Sequence, residues 1–187
     1  MGSLEGRVAL VTGSSRGIGE YMAKHFARAG AKVAIAARTV EVTDKRLPGT
    51  IHSVAEEIRS EGGESAAVQM NMRDPESITS GIEEAVEELG GLDIIVNNAA
   101  ILVPGNLETV QDRHLDLIWQ IDLKGPLILM KYALPHLKNA GGGDIINVSS
   151  VAGVFPGPGP YDTTPSRREG SFYGMVKSAL ERFSQGL

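Results

Sequence analysis

Val8-Ala9-Leu10-Val11-Thr12-Gly13-Ser14-Ser15-Arg16-Gly17-Ile18-Gly19 decides how this chain reads. An apolar run that passes into a glycine-rich turn predicts a buried strand, a tight turn and a helix beginning near Ile18. Gly13, Gly17 and Gly19 let the backbone turn sharply, approach a ligand closely and pack the new helix on the strand. The first turn of such a helix carries unpaired N–H groups and the positive end of the helix dipole, which suits a pyrophosphate. Gly13, Ser15, Arg16, Gly17, Ile18 and Gly19 are therefore candidate cofactor-binding residues.

The 187 residues are enough for one domain, so residues 1–187 are expected to form a single dinucleotide-binding unit. A formal charge of −5 and the lack of a long basic run argue against a nucleic-acid partner. With no cysteine, disulfides and thiolate zinc sites are excluded; the four histidines lack ligand spacing, and no metal is expected. Asn97 and Asn98 interrupt the best apolar run, so no membrane span is predicted. The first six residues show neither a myristoylation signature nor a signal-peptide core, and a soluble cytoplasmic protein is expected.

Around the opening motif, strands and helices alternate. Ile18, Met22 and Phe26 recur as a helical stripe, and Lys32–Ala37 is a short strand. A loop containing Pro48-Gly49 leads to a helix from Ile51 that ends at Gly62-Gly63, and Ala66–Met70 is the third strand. Asp74-Pro75-Glu76 opens a helix whose glutamates (83, 84, 87 and 88) form a solvated face. Leu92–Val96 is the fourth strand. Thr109 and Asp112 resemble a capping box for a long helix towards Lys138, kinked near Asp122 by Gly125-Pro126. Asp144–Val148 is the fifth strand, Val151–Ser171 is read as loop throughout, and a last helix from Ser171 is still running at Leu187. This order predicts an α/β fold, a doubly wound parallel sheet of Rossmann type with helices on both faces. Ligands of such sheets lie beyond the strand carboxyl ends, where the glycine turn, Asn97, Ser149 and Ser150 all fall.

Tyr173 and Lys177 stand four apart on the last helix, facing one side. A fixed cation would lower a phenol's pKa from near 10 and suit proton exchange with a carbonyl or alcohol. Tyr161 is the competing tyrosine, but four residues beyond it lies Pro165, which carries no charge and breaks helices. Where an NAD-preferring fold places an acidic residue after its second strand, this chain has Ala37 and then Arg38. Arg16 and Arg38 suit a ribose 2′-phosphate, the alternative being two surface arginines.

Thr12-Gly13-x-x-x-Gly17-Ile18-Gly19, Asn97-Asn98-Ala99, Ser149-Ser150 and Tyr173-x-x-x-Lys177 together resemble the short-chain dehydrogenase/reductase family. Leu47-Pro48-Gly49-Thr50-Ile51 with Ala55-Glu56-Glu57-Ile58 resembles, more loosely, its hydroxysteroid dehydrogenase-like branch. The resemblance implies a nicotinamide cofactor, NADP(H) preferred over NAD(H), and a small carbonyl or alcohol substrate. It implies Tyr173 as proton donor or acceptor, Ser150 as the group orienting the substrate oxygen, and Lys177 as tuner of the tyrosine and anchor of the ribose. It further implies cofactor contacts at Asn71, Met72, Asn98, Ala99 and Ala100, and a homodimer or homotetramer built on the Thr109–Lys138 and Ser171–Leu187 helices. Leu115, Ile118, Trp119, Met175 and Leu180 are candidates for that apolar patch.

Several positions depart from the family pattern. Asp122 stands where a helix asparagine supports proton relay, Asn71 where an aspartate is usual, and Ala100 where glycine is usual. The segment between Ser150 and Tyr173 is long, implying an insertion over Pro156–Gly170 that borders the substrate mouth, and the family's later strands are absent. Two functions are therefore weighed: an NADP(H)-dependent carbonyl reductase or alcohol dehydrogenase, and a dinucleotide-binding or assembly module without turnover.

Overall fold

A computed structural model of the chain describes residues 2–42, 44–103, 105–154 and 171–187. Tyr161, Pro165 and the expected insertion over Pro156–Gly170 lie outside the described residues. Strands β1 (Val8–Thr12), β2 (Lys32–Ala37), β3 (Ser65–Gln69), β4 (Ile94–Asn97) and β5 (Asp144–Asn147) form one parallel sheet in the order β3-β2-β1-β4-β5. Register aligns the strand ends: Thr12 lies beside Ala36, Val11 beside Val96, and Asn97 beside Asn147.

Side chains alternate across the sheet, as they must in a pleated strand. Val11, Val33 and Ile35 face α1 (Gly17–Arg28) and α2 (Ile51–Ser60), which contribute Ala23, Val54 and Ile58. Leu10, Ala34 and Ile95 face the other layer: α3 (Pro75–Leu89), α4 (Asp112–Trp119), α5 (Gly125–Asn139) and α7 (Ser171–Ser184). The doubly wound reading holds, and the reversal of winding between β1 and β4 opens a crevice at their carboxyl ends. Asp74 caps α3 by accepting from the Glu76 N–H, Pro75 occupies its first turn, and Gly90 closes it at φ +85. Among the described residues no helix is long and apolar enough to cross a membrane.

Local readings change at five places. On α1, Gly19 and Ala23 are the buried residues, and Ile18 is 69 % exposed. The close approach that the glycines allow turns small residues inward and leaves Ile18 at the cleft. Thr109 does not cap the long helix; it closes a turn with Asn106, and α4 begins at Asp112 after an uncapped Gln111. The expected kink is a π-helical turn, Gln120–Lys124, joining α4 to α5. Pro126 has no N–H for the Asp122 carbonyl, and the widened turn absorbs that missing bond. Val151–Val154 forms one helical turn, α6, where loop was expected. The last helix ends at Ser184, followed by a turn in which the Gly186 N–H donates to the Phe183 carbonyl.

Candidate active site

The sheet's carboxyl edge holds a cleft of about 530 Å³. Gly13, Ser15, Arg16 and Ile18 line it from the first turn, Arg38 from the end of β2, and Asn71 and Met72 from the end of β3. Asn98, Ala99 and Ala100 line it after β4, Ser150 after β5, and Tyr173 and Lys177 from α7. Thirteen candidates separated by most of the chain thus meet in one place, because parallel strands end on the same side. Gly17, Gly19 and Asp122 do not line its wall; they act from behind it.

Gly13 and Gly17 adopt φ values of +68° and +62°. A Cβ on Gly13 would lie 2.8 Å from the Ala99 Cα, and one on Gly19 would lie 2.5 Å from the Gly13 carbonyl oxygen. Both distances forbid a side chain, whereas a Cβ at Gly17 would meet nothing within 4 Å, so Gly17 serves backbone conformation alone. Helix α1 starts without a side-chain cap, leaving its first-turn N–H groups without an acceptor from that source. A narrow backbone cradle, open N–H groups and two arginines fit the phosphates of a dinucleotide.

Thr12 and Ser14 hold the cradle in place, and the residue-level reading missed both. Thr12 Oγ1 donates to the Val96 carbonyl at 3.1 Å and accepts from the Asn98 and Ala99 N–H groups at 3.0 and 3.1 Å. The Asn98 amide donates back to the Thr12 carbonyl at 2.8 Å. Ser14 Oγ donates to the Val11 carbonyl and accepts from the Ala36 N–H. Their signal was a small hydroxyl residue within the motif, at a strand end where ladder bonds stop. Asn71 has its side-chain oxygen engaged by the Arg73 N–H at 3.2 Å.

At the other end, Lys177 is buried and its Nζ donates to the Val148 carbonyl at 2.8 Å. Its ammonium stands 5.5 Å from the centroid of the Tyr173 ring. Burial lowers the Lys177 pKa, with the Asp122 charge opposing. Tyr173 runs against the sequence expectation: its pKa is raised, first by burial, then by the charge on Asp122, against a hydrogen bond with Ser150. Lys177 points its charge at a backbone carbonyl, so the lowering expected from it is not what dominates. Asp122 sits in the π-helical turn, fully buried. Its Oδ1 accepts from the Ile101 N–H at 2.9 Å, its Oδ2 has no partner among the described residues, and burial pushes its carboxyl up to about 6.

Of the residues considered for assembly, Ile118 and Leu180 are buried in the core and Leu115 is half-buried. Trp119 and Met175 remain exposed, at 51 % and 52 %.

The family model for short chain dehydrogenases matches residues 7–187. Hydroxysteroid dehydrogenase-like protein 2 of Bos taurus is 40% identical over 156 residues, covering 83% of this chain and 37% of that protein. The Homo sapiens protein of the same name is 36% identical over 155 residues, with the same coverage of 83% and 37%. A dehydrogenase/reductase from Sinorhizobium meliloti 1021 superposes with a TM-score of 0.77 at 34% identity, covering 95% of this chain and 64% of that one. A short chain dehydrogenase from Burkholderia cenocepacia J2315, solved in complex with NADP, gives a TM-score of 0.80 at 30% identity, covering 98% and 67%. The chain thus spans little more than a third of these curated relatives and about two thirds of these solved chains.

Proposed function

Because the chain belongs to the short-chain dehydrogenase family of oxidoreductases, we propose that residues 1–187 form an NADP(H)-binding unit that reduces a small carbonyl compound or oxidises the matching alcohol. One observation carries the reading: Ser150, Tyr173 and Lys177 line the same cleft as the glycine turn, Arg16 and Arg38. The bound nicotinamide supplies or accepts the hydride.

The chain's own residues position and move the proton. The Ser150 hydroxyl, which lines the cleft with Tyr173, would hold a substrate oxygen beside the phenol. Tyr173 is the proposed proton donor to an oxygen gaining negative charge; burial and the Asp122 charge raise its pKa, which works against the phenolate form. Lys177, held by the Val148 carbonyl with its Nζ 5.5 Å from the centroid of the phenol ring, is the candidate anchor for the nicotinamide ribose. The Asp122 charge favours the charged form of Lys177. Ile18, Ile101 and Ile121 give the cleft apolar wall. Asn71, Met72, Asn98, Ala99 and Ala100 supply the remaining cofactor contacts. At the ribose end of the cleft Arg38 follows Ala37, and no carboxylate among the described residues lines it, which supports NADP(H) over NAD(H).

Purified protein incubated with NADPH and a panel of aldehydes and ketones tests the reading. Turnover that Tyr173→Phe removes, with NADPH still bound, supports it. NADPH binding without oxidation above blank across the panel favours the binding-module reading instead.

A further inference from the structure

The loop between β2 and α2 is tied at its base, where the Ile51 N–H donates to the Thr39 carbonyl at 3.0 Å. Thr50 and Ser53 cap α2 reciprocally just beyond it. The loop then leans on the glycine turn. Arg16 Nη2 donates to the Gly49 carbonyl at 3.1 Å, and Gly49 adopts φ +107. A Cβ on Gly49 would lie 2.4 Å from the Ser15 carbonyl oxygen, so this contact requires glycine. Pro48 restricts the backbone just before it.

Arg16 is thereby held at one nitrogen while another, Nε, is buried with no acceptor among the described residues. The same side chain lines the cleft beside Arg38 and Thr39. A free arginine gives up rotamer freedom when it meets an anion, whereas one already held has given it up beforehand. The anion that a pre-aimed guanidinium suits best is a phosphate.

We propose that Gly49 is a positioning residue for dinucleotide selectivity: its carbonyl aims Arg16 at a phosphate on the adenosine ribose. Selectivity is then set partly by the β2–α2 loop, some thirty residues beyond the glycine motif. This rests on the NADP(H) reading above. Its test uses adenosine fragments that need no turnover, with calorimetric titration of 2′,5′-ADP and 5′-ADP into the protein, Gly49→Ala and Thr50→Ala. The unmodified protein should bind 2′,5′-ADP more tightly. Gly49→Ala should weaken 2′,5′-ADP roughly tenfold, as expected for losing one charge-assisted contact, and leave 5′-ADP within about twofold. Thr50→Ala loosens the loop without a backbone clash and should act in the same direction by less; it decides alone if Gly49→Ala does not fold. No preference in the unmodified protein overturns the NADP(H) reading and this inference with it. A preference that survives in both variants overturns the role of Gly49 alone, as does an equal loss for both fragments.

Discussion

Replacing Asp122 by asparagine should stabilise the protein at neutral pH, and the gain should fade in acid. The Asp122 carboxyl is fully buried, with a single N–H donor from Ile101, and its pKa rises from 3.8 to about 6. That value already contains the pull of Lys177, because attraction by the ammonium is one of its causes. Two pKa units at 1.36 kcal/mol each make ionisation cost about 3 kcal/mol more in the folded protein than in the unfolded chain. Below 3.8 both states are protonated and the penalty is nil; it grows between 3.8 and 6 and is constant above. At pH 4.5 roughly a third of it remains. Water entering the cleft trims the full figure, so about 2 kcal/mol, or roughly 4–8 °C in melting temperature, is expected for Asp122→Asn at pH 7.5. Asparagine keeps an acceptor for the Ile101 N–H and carries no charge. Thermal unfolding of both proteins at pH 7.5 and 4.5 measures the gap, and all other carboxylates cancel in the difference. Equal stability at pH 7.5, or a gap of the same size at pH 4.5, would refute the reasoning.

Gly19→Ala places a methyl 2.5 Å from the Gly13 carbonyl oxygen and should destabilise the fold by roughly 1–3 kcal/mol while weakening NADPH binding, seen in thermal unfolding and in fluorescence titration. Arg38→Asp, at an exposed position after β2, should leave stability within about 0.5 kcal/mol and reverse or erase a preference for NADPH over NADH, read from the two dissociation constants. Trp119→Glu tests the expected homo-oligomer, for Trp119 is 51 % exposed on α4: sedimentation should show a larger species becoming monomeric, and a wild-type monomer at micromolar concentration would end that expectation.

The sheet was legible because its three central strands, β1, β2 and β4, are short, apolar and buried on both faces, a pattern that water would not tolerate elsewhere. The apolar run Val8–Val11 falls one residue short of the observed β1, and Lys32–Ala37 matches β2 at both ends. Convergence of the site followed from topology: the candidates that line the cleft stand just past a strand end or on the helix beside it, and Asp122 alone of the catalytic candidates comes from the π-helical turn behind. What stayed hidden depends on contacts between segments distant in sequence. Ile18 fits a helical stripe by spacing, yet Gly19 and Ala23 take the sheet side because only small residues permit that approach. Pro126 signalled a disruption near Asp122, but periodicity does not distinguish a kink from a π-helical turn, which inserts one residue without bending the helix apart.

The titration of Tyr173 belongs to the same class. A lysine four residues away predicts a lowered phenol pKa, and spacing alone carries no information on which acceptor that lysine meets. In the fold the ammonium is drawn to the Val148 carbonyl, while burial and the Asp122 carboxylate act on the phenol from other elements. The direction of the shift bears on the chemistry. In the role proposed above, the phenol would give its proton to a developing alkoxide in reduction, and a raised pKa makes it a weaker acid for that step. Removing a proton from an alcohol instead needs the phenolate, and ionised Asp122 disfavours that form. A cation brought closer to Tyr173, or loss of the Asp122 charge below about 6, relaxes this bias. Lowering the pH also suppresses the phenolate directly, so loss of the Asp122 charge does not by itself favour that form in acid.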